Sequence, residues 1–306
     1  MFRKIFNAPL TELPAANDPR ARLIGIGLMC AALLCFAGLD TTAKWLNQYL
    51  PTLEVVWARY ASHFFLSLLV VNPWTMPGLF ATRRPWQQVG RSALLFGSTA
   101  FNFIALRYLQ LDQTATIAFT TPFIIALLAG PLLGEWIGWR RWVAIIVGFV
   151  GVLVIARPGM GGIHPAAILS VLSMVCYAAY IISTRFLAGY DSTATTVFYS
   201  ALVGLIAASI PLPAVWVTPD DPLVILGMIV VGALGWIGHL FLIVAHRYAP
   251  APVLAPFIYT QLIWYVMGGF LVFGDLPSEF TLVGAAIVIG SGLYLLYRER
   301  QLKGDA

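Results

Sequence analysis

The feature of this 306-residue chain that leaves the fewest folds open is a near-unbroken succession of apolar stretches, each about as long as a bilayer is thick. About twenty apolar residues, rising about 1.5 Å apiece in a helix, cross the ~30 Å hydrocarbon core. Such stretches run over 22–46, 52–72, 89–108, 112–133, 139–157, 163–187, 193–212, 222–246, 250–273 and 279–297. They are least separated at Arg107–Asp112 and His246–Pro252, where polar and proline residues are the sole breaks in long apolar tracts. Hydrocarbon offers backbone N–H and C=O groups no partner, so a lipid-embedded segment of this kind must satisfy them internally, as a helix does. The expected fold is therefore an all-α integral membrane protein with ten transmembrane helices. Composition supports lipid as the main solvent, since charged residues make up 10% of the chain against about a quarter in soluble domains.

The basic residues test the count, because cytoplasmic loops are enriched in Lys and Arg. Ten spans with both termini inside place fourteen of the eighteen basic residues in the cytoplasm: Arg3, Lys4, Arg20, Arg22, Arg83, Arg84, Arg91, Arg140, Arg141, Arg185, Arg247, Arg298, Arg300 and Lys303. Lys44, Arg107 and Arg157 fall outside, and Arg59 lies within a span. One helix more or fewer would scramble this segregation. The tail over 1–21 carries charges and prolines but no apolar core of a cleavable signal, and it is expected to stay cytoplasmic with the short C-terminal tail 299–306. In a bacterial cell that places the chain in the inner membrane.

Function classes narrow on the same ground. The net charge of +5 is scattered between apolar blocks, which excludes a nucleic-acid-binding patch. Cys30, Cys35 and Cys176 sit in apolar runs without metal-ligand spacing, so no metal or cofactor is assigned. No GxxxxGK[ST] phosphate loop is present, leaving an ion or solute gradient as the energy source and protons as the candidate coupling ion. Neither HExxH nor a nucleophile–base pattern supports an intramembrane enzyme. A receptor or other non-transport membrane protein remains the competing class.

The chain also matches itself at an offset near 140 residues. Thr42-Ala43-Lys44-Trp45-Leu46 returns as Ser183-Thr184-Arg185-Phe186-Leu187, Ala105-Leu106-Arg107-Tyr108 as Ala245-His246-Arg247-Tyr248, and Gly134-Glu135 as Gly274-Asp275. Five spans per repeat is an odd number, so the second repeat is expected to sit inverted relative to the first, which favours an alternating-access carrier with its site between the halves.

On these residues the chain resembles the drug/metabolite transporter superfamily, in its ten-helix bacterial branch with two EamA-type domains. The resemblance rests on a first helix ending in Lys44, on Arg59 in the second, on the fourth-helix pattern from Ala115 through Pro122 to Gly134-Glu135, and on the Gly-rich run Gly148–Ile155. The second half departs by carrying Asp275 for Glu and Pro256 rather than a proline at the register of Pro122. The resemblance implies five-helix repeats over 22–157 and 163–298 and a small-molecule substrate. Export of an amino-acid-derived or metallophore-like compound is its first implication, and uptake of a vitamin or cofactor precursor the second. A homodimer is the candidate assembly.

Polar side chains in the hydrocarbon zone are costly and become site candidates by default. Asp40, Lys44, Arg59 and His63 are expected to line an outward-facing cavity suited to a zwitterion. An Asp40–Lys44–Arg59 ion cluster that only fastens the first two helices is the equal alternative. His239 in the eighth stretch, Asn102 in the third, and Gln261 and Tyr265 in the ninth complete the candidates, with interhelical bonding as their simpler account. Reporter fusions after Leu13 and after Arg300 should both signal from the cytoplasm. A signal from the outer side at either point refutes the ten-span topology.

Overall fold

The computed structural model describes residues 19–70, 79–121, 123–125, 127–128, 139–156, 164–187, 190–191, 193–249 and 254–304. Among these residues the chain is all-α. The helices are α1 (Pro19–Leu46), α2 (Thr52–Val70), α3 (Pro85–Leu106), α4 (Leu111–Ala118), α5 (Trp139–Ala156), α6 (Ala167–Leu187), α7 (Thr193–Ser209), α8 (Pro222–Tyr248), α9 (Gln261–Gly268) and α10 (Glu279–Gly304). Five described helical segments, Arg20–Leu46, Pro85–Leu106, Ala167–Thr184, Thr195–Ala214 and Pro222–Ala245, are long and apolar enough to cross a bilayer. The fourth apolar stretch is described only in part, and Pro122, Gly130 and Gly134-Glu135 lie outside the described residues.

Local chemistry explains the boundaries that hydropathy left faint. Between α3 and α4 the chain turns over Arg107–Gln110, where the Gln110 N–H donates to the Gln113 side chain at 3.1 Å in a reciprocal capping box that starts α4. At α8 the Asp221 carboxylate accepts from the Leu223 N–H at 2.8 Å with Pro222 in the first turn, satisfying a donor that the helix itself cannot pair. The ninth apolar stretch is not one regular helix. A 3-10 segment over Ala255–Thr260 leads into α9, which passes into a π-turn over Gly269–Phe273. Gly274 ends that turn at φ 72°, a left-handed conformation that residues with a Cβ adopt at a cost.

The most extensive packings cross between the two halves of the sequence rather than staying within one. Helix α1 lies along α8 and α3 along α6; α2 packs on α8 and α3 on α7; α5 packs on α10, and α9 on α1 and α4. Replacing each helix of one half by its counterpart five elements later converts α1–α8 into α6–α3, α2–α8 into α7–α3, and α1–α9 into α6–α4, all of which are contacts of the fold. The outer surface is apolar: on α5, Trp142, Ile146, Phe149 and Leu153 are exposed while Ala144, Val152 and Ile155 are buried. An exposed apolar belt on that scale is a lipid-facing surface.

Close approach of α8 to α2 depends on Gly232. A Cβ there would stand 2.3 Å from the Ser62 Cβ and 2.9 Å from the Arg59 carbonyl oxygen, so the two backbones must separate to admit one. Gly27 on α1 has open space instead. Gly232→Ala is expected to lose roughly 1–3 kcal/mol of stability through overpacking. Gly27→Ala should be neutral or slightly stabilising through helix propensity. Thermal unfolding of the two variants in one detergent checks the contrast, and equal midpoints would contradict this packing.

Candidate functional site

Two polar centres lie inside the bundle. The first is built on Asp40, 9% exposed, in the C-terminal half of α1. Its Oδ1 accepts from the Asn102 Nδ2 of α3 at 3.2 Å, and its Oδ2 accepts from the Tyr265 hydroxyl of α9 in a short hydrogen bond. The Gln261 Nε2, one turn earlier on α9, donates to the Tyr265 oxygen at 3.2 Å. Sequence candidates from three stretches thus form one chain, Asn102–Asp40–Tyr265–Gln261, that crosses from the first half of the molecule to the second. Oriented donors on both carboxylate oxygens offset its desolvation, and charge-assisted bonds of this type are about twice as strong as neutral ones.

The expected partnership of Asp40 with Lys44 and Arg59 is not what forms. Lys44 turns away to Asp275, its Nζ 3.1 Å from Oδ2, donates to the Leu109 carbonyl at 2.9 Å, and lies 4.8 Å from the Phe273 ring centre. Asp275 reaches it because the π-turn and left-handed Gly274 redirect the chain, with the Asp275 N–H closing on the Gly269 carbonyl at 3.1 Å. This ion pair joins the end of α1 to the segment before α10 and is partly exposed.

The second centre surrounds a cavity of about 30 Å³ bordered by Arg59, Tyr60, His63, Tyr180, Ser200 and His239. Arg59, 6% exposed, holds its guanidinium carbon 4.4 Å from the Tyr60 ring centre. The His63 and His239 rings stand 6.1 Å apart, and the His63 Nδ1 is buried without a hydrogen-bond partner. Behind the wall lies Arg91, 2% exposed. Its Nε donates to the Thr184 hydroxyl at 2.8 Å, Nη1 to the Ser200 hydroxyl at 2.9 Å and the Thr196 carbonyl at 3.3 Å, and Nη2 to the Tyr180 hydroxyl at 3.0 Å.

Arg91 is the residue that sequence reading misplaced: assigned to a cytoplasmic loop, it is buried inside the bundle. Helix α3 begins at Pro85, four residues before the apolar stretch does, which draws Arg91 about a turn and a half into the structure. A basic residue at the third position of an apolar stretch is the available signal, masked by the neighbouring Arg83 and Arg84. Tyr180 reads from sequence only as one of several aromatics that could offer stacking surface, and Ser200 carries no signal of its own, because hydroxyl side chains are common in such helices. Near the loop before α3, Asp191 accepts from the Thr82 hydroxyl at 2.5 Å, the Arg83 N–H at 3.1 Å and the Gln88 Nε2 at 2.8 Å. Partial burial raises its carboxyl pKa, but those donors outweigh it and hold the group below its ordinary range. His164 is exposed and stacks on Tyr108, with ring centroids 4.8 Å apart.

Buried polar chains spanning the halves of an all-helical, lipid-faced bundle define a multi-pass membrane protein with an interior polar site. Comparison with known proteins places it further: the EamA-like transporter family model matches residues 23–157 and again 164–298, and the chain belongs to that family. The S-adenosylmethionine uptake transporter of Rickettsia conorii is 29% identical over 290 residues, covering 93% of this chain and 97% of the relative. The corresponding transporter of Rickettsia bellii is 30% identical, covering 91% and 95%. A riboflavin transporter of Rhizobium johnstonii is 28% identical, covering 95% and 96%. A solved crystal structure at 18% identity, with 92% of this chain and 98% of that one covered, superposes with a TM-score of 0.60 and shares the fold.

Double-mutant cycles on unfolding should separate the observed pairings from the one expected from sequence. Asp40→Asn with Tyr265→Phe, and Lys44→Met with Asp275→Asn, are expected to show coupling of about 0.5–3 kcal/mol, the range for residues in contact. Asp40→Asn with Lys44→Met should couple more weakly than either. A larger Asp40–Lys44 term would restore the ion cluster and displace the pairings described here.

Proposed function

We propose that this protein is a gradient-driven carrier that takes up a small vitamin-like or cofactor-like metabolite. The observation that carries the reading is the Asp40–Tyr265 bond, which places a buried carboxylate of the first EamA domain against a hydroxyl of the second. A polar group at the junction of two repeats is where an alternating-access carrier engages its cargo. Uptake is preferred to export because relatives matched along nearly their whole length include S-adenosylmethionine uptake transporters. Riboflavin, named for another relative, is the second cargo to test. Both are cofactors or cofactor precursors, the class that sequence reading held second.

The architecture that goes with this function is ten spans in two inverted five-helix repeats, 22–157 and 163–298. The chain then lies in the inner membrane with both termini cytoplasmic. Support comes from the exchange pattern of helix packing and from the basic-residue asymmetry, which survives the loss of Arg91 to the interior. Protons are the coupling ion in this reading, with Asp40 as the carrier: a proton on its carboxyl would weaken the bonds from Asn102 and Tyr265 that tie the halves together. Helix α9 and its π-turn supply the irregular backbone that lets one half rock against the other.

Proteoliposomes with an imposed pH gradient test the proposal. Wild-type protein should accumulate radiolabelled S-adenosylmethionine or riboflavin at least tenfold over protein-free vesicles. Asp40→Asn should assemble normally, lose the dependence on the gradient and retain exchange of labelled for unlabelled cargo. Failure to move either compound in any orientation rules out the cargo class, and gradient-driven uptake by Asp40→Asn rules out Asp40 as the proton carrier.

A further inference from the structure

We infer that the cavity between α2, α6, α7 and α8 binds a carboxylate of the transported substrate, with Arg59 as its cationic contact and Arg91 as a positioning residue behind the wall. The inference rests on the carrier reading above and adds the charge class of the cargo.

The first support is charge without a partner. Arg59 and Arg91 are both buried, and among the described residues no carboxylate lies within 4 Å of either guanidinium, the Asp40 carboxylate acting on Arg59 only from beyond that distance. A buried cation left unpaired is strongly unfavourable, and native structures retain one where something supplies the counter-charge. Arg91 is fully engaged with neutral oxygens of Thr184, Thr196, Ser200 and Tyr180, so its side chain is fixed while its charge is not cancelled. Arg59 is different: its guanidinium lies over the Tyr60 ring, hydrogen-bonds the Tyr60 side chain and borders the cavity. A planar guanidinium held on a ring beside a cavity is suited to a carboxylate, which it meets through two parallel N–H···O bonds.

The second support is a shortage of acceptors. Ser200 donates its hydrogen to the Thr196 carbonyl at 2.8 Å and accepts from Arg91 at 2.9 Å. The Tyr180 oxygen accepts from Arg91, leaving its O–H as a donor for another group. His63, whose Nδ1 is buried without a partner, borders the same cavity. Arg59 and Tyr180 thus present donors to a space whose walls carry only neutral acceptors, the Tyr60 hydroxyl and the imidazoles of His63 and His239. The missing chemistry is an anionic acceptor.

The third is size. A volume of about 30 Å³ matches one or two waters and hence a carboxylate group, not a whole metabolite. The remainder of the cargo must lie elsewhere, and the Asp40–Tyr265–Gln261 chain on the neighbouring helices provides a separate centre of opposite charge. Of the two cations that the sequence places in a substrate cavity, Lys44 is occupied by Asp275 and Arg59 borders this cavity, with Arg91 behind it.

Reconstituted full-length protein in nanodiscs tests the site with acetate, neutral acetamide and methyl phosphate at matched ionic strength, read as the concentration dependence of the unfolding midpoint. Acetate should raise the midpoint saturably, acetamide should not, and methyl phosphate should act at least threefold more weakly than acetate. Arg59→Gln should weaken the acetate effect at least tenfold, Arg59→Lys less, and Tyr180→Phe several-fold. If Arg59→Gln does not assemble, Tyr180→Phe and the acetate–acetamide comparison on wild type decide the matter. Equal shifts by acetate and acetamide, or an undiminished acetate effect in Tyr180→Phe and Arg59→Gln, overturn the site. Methyl phosphate acting more strongly than acetate overturns the carboxylate assignment. Uptake separates this inference from the carrier reading: transport of riboflavin, which has no carboxyl group, or equal transport of S-adenosylmethionine and its decarboxylated analogue, keeps the carrier and removes the carboxylate site. Arg59-dependent acetate binding without transport of either proposed cargo keeps the site and removes the cargo.

Discussion

A polar group in hydrocarbon has no water to fall back on, and the organisation of this protein follows from that constraint. Backbone groups satisfy it by running as helices, whose ends are capped where Gln110 and Asp221 meet unpaired N–H groups. Side chains satisfy it by turning inward, so that the outer surface of α5 carries Trp142, Ile146 and Phe149 while carboxylates and guanidinium groups gather between helices. Each buried charge must then find a donor, an acceptor or a counter-charge, since leaving one unmatched costs more than the bond it would have formed.

The way those requirements are met ties the two halves together. Asp40 draws its partners from α3 and from α9, and Lys44 reaches a carboxylate on the far side of the second half. The principal packings of α1, α2 and α3 are with helices of the second half. Each half satisfies some of its polar residues itself, as Asn102 does Asp40, but depends on the other for partners such as Tyr265 and Asp275. Such an arrangement permits relative motion only if polar partners are exchanged for something else, and a cargo with groups of both signs is one such replacement.

The irregular ninth segment shows how local backbone geometry serves this exchange. A uniform α-helix over 255–273 would point Asp275 elsewhere; the passage through a π-turn and a left-handed Gly274 brings it onto Lys44. Tyr265 and Gln261 sit on the regular part of the same segment. One stretch of chain therefore contributes both to the centre around Asp40 and to the ion pair that closes the end of α1, and a shift of that stretch would disturb both together. The donor-rich cavity around Arg59 lies mostly on other helices, with α3 common to both centres through Asn102 on one side and Leu95 and Arg91 on the other.

Hydropathy alone determined that the chain is helical and lipid-embedded, because burial in a bilayer imposes a length and an apolarity that read directly from residue order. It also marked Asp40, Arg59, His63, Asn102, His239, Gln261 and Tyr265 as unusual, since each is a polar residue within or bordering a span where hydrocarbon penalises it. Who bonds whom was decided by tertiary structure. Lys44 lies one helical turn from Asp40, yet it pairs with Asp275, 231 residues away, while Asp40 takes Tyr265 at a separation of 225. Side-chain reach and backbone direction at Gly274 settle that choice, and neither is encoded in spacing along one helix. Arg91 shows the same limit from the other side: its charge made it look like a loop residue, and only the start of α3 at Pro85, together with the hydroxyls that α6 and α7 bring to meet it, places it inside. Sequence registers the cost of a polar group in lipid, whereas the partner that offsets this cost comes from helices distant in the chain and exists only once they are packed.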